Sequence, residues 1–437
     1  MRRTLCLCVC VAFLFFVSIT LWPRATSAHE PITTKVRFNK EVVRILQRSC
    51  LGCHRPGGIA MSLATYEEAR PWAKAIKEEM LEKRMPPWRA VKGFGEFRNT
   101  PPLAQREIDL IVNWIEGGAP KGDDKDLPAG PLYSDDWQLG QPDLVLKPQT
   151  ETPVAADADE TRTLSLATNL KEDRWLTAID LRPGNGAVVH CAKFYLSKNE
   201  GDMAHDGLRA ARRKDEKDSE GMKPTKAPAA ESSSFILHPS SLLIGTWMPG
   251  QKIVALPDGI VRLLAAGARI TVKIHYHGAG EETRDASEVG LYFAKTPPRK
   301  TLQEIAVTNP DAVIPAGAAM HQVTASFTIQ DDTEAIAIRP GVNPLLLSLQ
   351  ATAYRPDGSE EVMIWARGYG FDWQPTYVFK RAVALPKGTR IETIAYFDNT
   401  DSNRNNPNDP AKAVRWPDLT PDPLCALIIA KPRSAND

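Results

Sequence analysis

At 437 residues, with 43% hydrophobic and 24% charged side chains, the chain has an ordinary globular make-up and enough length for two or three domains. A formal net charge of +1 leaves no basic excess to displace counterions from phosphate, which excludes a nucleic-acid binder. Beyond the N-terminal segment, no apolar run is long enough to span a membrane.

Residues 1–28 read as a signal peptide: Arg2 and Arg3 are followed by the apolar run Leu5 to Leu21 and by the small residues Thr26-Ser27-Ala28. The alternative is an uncleaved anchor. Cleavage predicts a periplasmic or otherwise exported protein with no transmembrane span. His29 then becomes the N-terminal residue and is read as a frayed end rather than a copper chelate. Cys6, Cys8 and Cys10 leave with the signal, so Cys50, Cys53, Cys191 and Cys425 remain. That is no disulfide framework for a chain of this size, and whether Cys191 and Cys425 pair is open.

Apolar residues at helical spacing between Glu41 and Arg48 lead into Cys50-Leu51-Gly52-Cys53-His54. Two thiols three residues apart reach both vinyl groups of one porphyrin, and the adjacent imidazole meets the iron. The motif therefore predicts one covalent haem c. A zinc or thiol-redox reading is disfavoured by the following histidine and the lack of a second cysteine pair. For the sixth ligand, Met85 in Met85-Pro86-Pro87-Trp88 is preferred to Met61: a Met-Pro turn leaves the helix and presents the thioether from a loop. Further helices are predicted from Tyr66 to Lys83 and from Leu103 to Glu116, the latter stopped by Gly117-Gly118-Ala119-Pro120. Three helices around one porphyrin predict a small all-α class I cytochrome c domain over residues 35–122. This stretch resembles the haem domains of many multi-domain bacterial exported proteins.

Residues 123–134 read as a linker. Thereafter short β-branched and aromatic runs alternate with turn residues, which predicts two all-β jelly-roll-like sandwiches over residues 135–297 and 298–431. Glu200 to Ser234, rich in charge and poor in apolar residues, reads as a surface loop.

Within this region Val272-Lys-Ile-His275-Tyr276-His277 and Asp285-Ala-Ser-Glu-Val-Gly290-Leu-Tyr-Phe293 resemble the copper type II, ascorbate-dependent monooxygenases, which include dopamine β-monooxygenase and the peptidylglycine hydroxylases. Arg182-Pro-Gly-Asn185 before Val189-His190, Trp247-Met248-Pro249-Gly250, Phe371-Asp372-Trp373-Gln374 and Tyr396-Phe397-Asp398-Asn399 follow in the same order, and the resemblance spans about residues 135–430. It implies an electron-supplying copper with three histidines and an oxygen-activating copper with two histidines and a methionine. For the first, a His-His pair is implied where His190-Cys191 stands, and the third histidine matches His275. Cys191 is then a candidate replacement ligand, and His277, two residues along a strand from His275, is another. For the second, a His-x-His is implied where Pro340-Gly341-Val342-Asn343-Pro344 stands, and a methionine where Leu424 stands, so all three ligands are missing. His205 lies near Met203 in the charged loop, a pair read as surface residues rather than a soft metal site, and His238 and His321 have no partner visible in the sequence.

The reading is an exported cytochrome that carries single electrons to an unidentified redox partner protein. Attached to it is a degenerate monooxygenase-like module with at most one copper. The alternatives are an active copper-dependent oxidoreductase fed by the haem and a redox-anchored binding module.

Overall fold

In a computed structural model of the chain, described over residues 33–98, 103–130, 136–197, 242–253, 260–341, 343–368, 376–415, 418 and 427–434, strands dominate. The signal peptide, the charged loop, Leu424 and Cys425 lie outside the described residues. Among those residues twenty strands form, and no α-helix exceeds the twelve residues of Gln105–Glu116.

One eight-stranded sheet runs through the β body. Its strands lie in the spatial order Leu144–Leu146, Glu288–Phe293, Arg174–Arg182, Ile260–Leu264, Lys300–Val307, Leu427–Ser434, Thr333–Pro340 and Tyr377–Leu385. Two four-stranded sheets accompany it. The first is ordered Asp159–Ala167, Arg269–His277, Val189–Ser197, Leu242–Trp247, and the second His321–Thr328, Arg390–Phe397, Leu346–Tyr354, Glu360–Arg367. Period-two alternation explains the pairing of faces. In Arg269–His277 the side chains of Ile270, Val272, Ile274 and Tyr276 are fully buried, whereas Lys273, His275 and His277 point the other way. Separate apolar cores result, one between Leu146 and Phe293 and one assembled mainly from residues beyond Val307.

The expected architecture, a small all-α class I cytochrome c domain followed by two separate all-β jelly-roll-like sandwiches, is corrected by this arrangement. The two β halves are joined by a parallel pairing of Lys300 and Thr301 with Ile260 and Val261, which makes their shared sheet continuous. The helices are short. The predicted helix from Tyr66 to Lys83 is divided by a 3-10 turn at Arg70–Trp72, where Pro71 has no backbone N–H to donate. Phe38, Leu46, Ile111 and Trp114 do share a core, but residues 88–98 leave it. Trp88, Ala90 and Phe97 instead enter the second β core. Backbone bridges pair Ala90 with Ala366 and Phe97 with Phe379. The N-terminal region is therefore no free-standing all-α unit; part of the segment expected to close over a haem completes a β core. No helix among the described residues is long and apolar enough to cross a membrane.

Candidate functional site

The helix Val43–Ser49 ends at Cys50, and the Cys50–His54 loop turns against the β body. Cys50 and Cys53 are free thiols. Burial, reinforced by the neighbouring Cys53, pushes the Cys50 thiol up to about 12, and burial pushes Cys53 up to about 11, so both stay protonated near neutral pH. The Cys53 thiol donates to the Pro249 carbonyl across 3.0 Å. Beside this contact two glycine backbones meet. A Cβ on Gly52 would fall 2.4 Å from Gly250 Cα, and Gly250 has a φ of +73° that side-chain-bearing residues rarely adopt. The Cys50–His54 loop thus rests on the turn that follows the strand Leu242–Trp247.

His54 is oriented by the chain that follows it: its Nδ1 lies 3.0 Å from the Met61 carbonyl, which leaves Nε2 for a metal. That bond puts the Met61 backbone behind the imidazole, away from its ligating edge. Met85, whose N–H donates to the Glu79 carbonyl across 3.1 Å, starts the strap toward Trp88. Met61, Trp72, Leu81 and Met85 expose 43%, 43%, 52% and 45% of their surfaces, a concentration of open apolar side chains in one short segment. Two free thiols and an anchored imidazole are the residue types that could hold a haem.

A second constellation lies on the outward face of the first four-stranded sheet. His190, His275 and His277 each place a ring nitrogen within 4.8 Å of the others. His275 and His277 are alternate residues of one strand, so they share its face. His190 joins them through a β-bulge: the register steps from Val189 opposite Tyr276 to Cys191 opposite His275, which makes His190 the extra residue. Its ring stacks on that of His277, centroids 4.5 Å apart. The two Nε2 atoms of His275 and His277 are 2.9 Å apart, and Thr161 Oγ1 contacts His275 Nδ1 at 3.1 Å.

The buried carboxylate of Asp285 fastens both parts of this cluster. It accepts from the Tyr276 hydroxyl at 2.9 Å, on the strand between the two histidines. Its other oxygen accepts from the Asn185 N–H at 2.9 Å, in the loop that launches His190. Burial, with the adjacent Asp285 charge, pushes the Tyr276 hydroxyl well above its ordinary pKa and keeps it a donor.

Of the residues singled out in the sequence, Cys50, Cys53 and His54 lie on one loop, and His190, His275 and His277 converge. Cys191 does not join that group, although it is buried and opposite His275. His321 begins a strand of the second four-stranded sheet, apart from the histidine group. Pro340 and Asn343 are buried at the end of Thr333–Pro340 and just beyond it. Sequence reasoning missed Thr161 and Asp159, which reach the histidines from the neighbouring strand Asp159–Ala167. Cross-strand register, which brings them there, has no signature in a single sequence.

No protein-family model matches the chain, and no curated protein matches it. Among solved structures, PNGF-II is similar at 7% identity with a TM-score of 0.30, over 67% of this chain and 65% of its own. An allantoicase is similar at 10% identity with a TM-score of 0.16, over 55% of this chain and 78% of its own. The allantoicase of Saccharomyces cerevisiae gives 9% identity and a TM-score of 0.15 over the same shares, 55% and 78%. Likeness at these TM-scores carries no argument about fold or activity.

Proposed function

We propose that the protein is an exported electron carrier in which haem c is bonded to Cys50 and Cys53, with its iron held by His54 and Met85. The observation that carries this reading is the Cys50–His54 motif, in which the Met61 carbonyl fixes the imidazole with Nε2 free. A haem bound there supplies reversible one-electron chemistry. The chain's own part is to hold the thioether carbons, orient the imidazole and present a thioether sulfur, a ligand pair that raises the potential. Met85 is favoured over Met61 because the Met61 backbone is committed to the imidazole's far side.

A metal site at His190, His275 and His277 is a second part of the reading, favoured by the convergence of their ring nitrogens. Copper is the ion that the sequence resemblance implies there. Oxygen activation is not part of the proposal: Gly341, Val342 and Leu424 stand where ligands for it are implied, and none of their side chains can bind copper.

The test is a pyridine haemochrome spectrum and iron analysis on the mature protein, produced in a host that matures c-type cytochromes. One iron per chain, with colour that acidified organic solvent does not extract, is the expected result. Colourless protein, or pigment that extracts, overturns the proposal.

A further inference from the structure

Asp159 stands directly opposite His277 in the pairing of Asp159–Ala167 with Arg269–His277. Its Oδ1 lies 3.2 Å from His275 Nε2 and 3.4 Å from His277 Nε2, and those two nitrogens are 2.9 Å apart. A tetrahedral ion with bonds of about 2.0–2.1 Å to nitrogen and oxygen has donor–donor edges of about 3.3–3.4 Å, from the ratio of edge to bond length in a tetrahedron. The two separations from Asp159 lie close to such edges, and the 2.9 Å between the histidine nitrogens opens to one by a shift of about 0.4–0.5 Å. Thr161 holds the outer nitrogen of His275, so Nε2 is the atom turned inward. His190 offers a ligand nitrogen within 4.8 Å of those of both other histidines, and a shift of about 1.5 Å or less brings it to such an edge from each.

We infer that Asp159 is a fourth ligand, and that His190, His275, His277 and Asp159 form a four-coordinate site selective for a divalent transition ion, Zn2+ or Cu2+, over Cu+. The inference rests on the proposed metal site but adds a carboxylate that the sequence resemblance does not imply. A carboxylate is a hard, anionic donor. It stabilises a dication more than a soft monocation, which three neutral imidazoles would accommodate well. Copper held this way is poised toward Cu2+, so the site serves as a fixed divalent centre rather than a relay that readily takes an electron. Asp159 is also suited to exchange, because its side chain is 77% exposed and the ion can enter from solvent.

Equilibrium dialysis of the purified full-length mature protein tests this, against buffered free Zn2+ and, anaerobically with ascorbate, against Cu+. Bound metal is read by elemental analysis. The expected result is one Zn2+ per chain, weakened about tenfold or more by Asp159→Asn, with Cu+ binding changed by less than about threefold. His277→Ala should abolish Zn2+ binding. If the native protein binds a metal ion and Asp159→Asn leaves Zn2+ affinity unchanged, Asp159 is no ligand and the inference falls while the histidine site stands. If neither ion binds the native protein, the metal site itself is refuted. Circular dichroism of Asp159→Asn should match the native protein, since this exposed side chain supports no core.

Discussion

His54 and Asp285 show how single side chains set the two candidate sites. His54 could bind a metal through Nε2 only in one orientation, and the Met61 carbonyl at its Nδ1 supplies that orientation. The same bond separates the two methionines. Met85→Ala should shift the reduced haem spectrum toward high spin, whereas Met61→Ala should leave it low-spin, because the Met61 contact is made by its backbone. Absorption spectra of the two reduced variants check this, and the reverse pattern would reassign the axial ligand. Asp285 acts on two elements at once, through Tyr276 and through Asn185, and so holds the histidine-bearing strand and the loop before His190 in one relation. The spacing of Cys50, Cys53 and His54 was legible in the sequence because it depends only on residues next to one another along the chain. His275 and His277 were legible as a pair because a strand puts alternate residues on one face. Asp159 was not, since it lies over a hundred positions away and is brought in by register.

At the scale of elements, bulges and tight backbone approaches decide what meets. The β-bulge puts His190 with the histidines of the adjacent strand, while Cys191, the neighbour that the sequence offered as a ligand, stays outside the group. The turn at Pro249 and Gly250 receives the Cys50–His54 loop only because neither Gly52 nor Gly250 carries a Cβ. Gly250→Val should therefore push the loop off its seat. A loss of about 1–3 kcal/mol in stability is expected from overpacking, on top of strain at positive φ, together with a lower yield of covalently attached haem. Denaturant titration and haem-to-protein ratios measure the two effects; unchanged values for both would show that the contact is incidental. The predicted helix from Tyr66 to Lys83 was recognisable by its apolar spacing. Its interruption at Arg70–Trp72 is attributable to Pro71, which has no backbone N–H for the helical ladder.

For the molecule as a whole, the N-terminal region and the β body are interdependent. Trp88 packs edge-on to Tyr377 with ring centroids 5.0 Å apart and is 9% exposed, in a core that takes Trp88, Ala90 and Phe97 from the N-terminal region and the rest from Val307 onward. Trp88→Ala should destabilise the β body by about 3–5 kcal/mol, the usual range for emptying a large aromatic from a core. Guanidinium unfolding followed by far-ultraviolet circular dichroism reads this directly. A change of only a few tenths of a kcal/mol would mean that residues 88–98 are an ornament on the β body and that the N-terminal region folds apart from it.

The chain alone determined the thiol–thiol–imidazole motif, the strand-rich character after residue 135 and the sharing of one face by His275 and His277, because each depends on residues close together along the backbone. Tertiary structure decided the rest: the continuous sheet joining the two β halves, the entry of Trp88 and Phe97 into a β core, the choice of His277 over Cys191 and the arrival of Asp159. These depend on register and on which apolar surfaces find each other, and long-range pairing leaves no periodic trace in the segments that it joins.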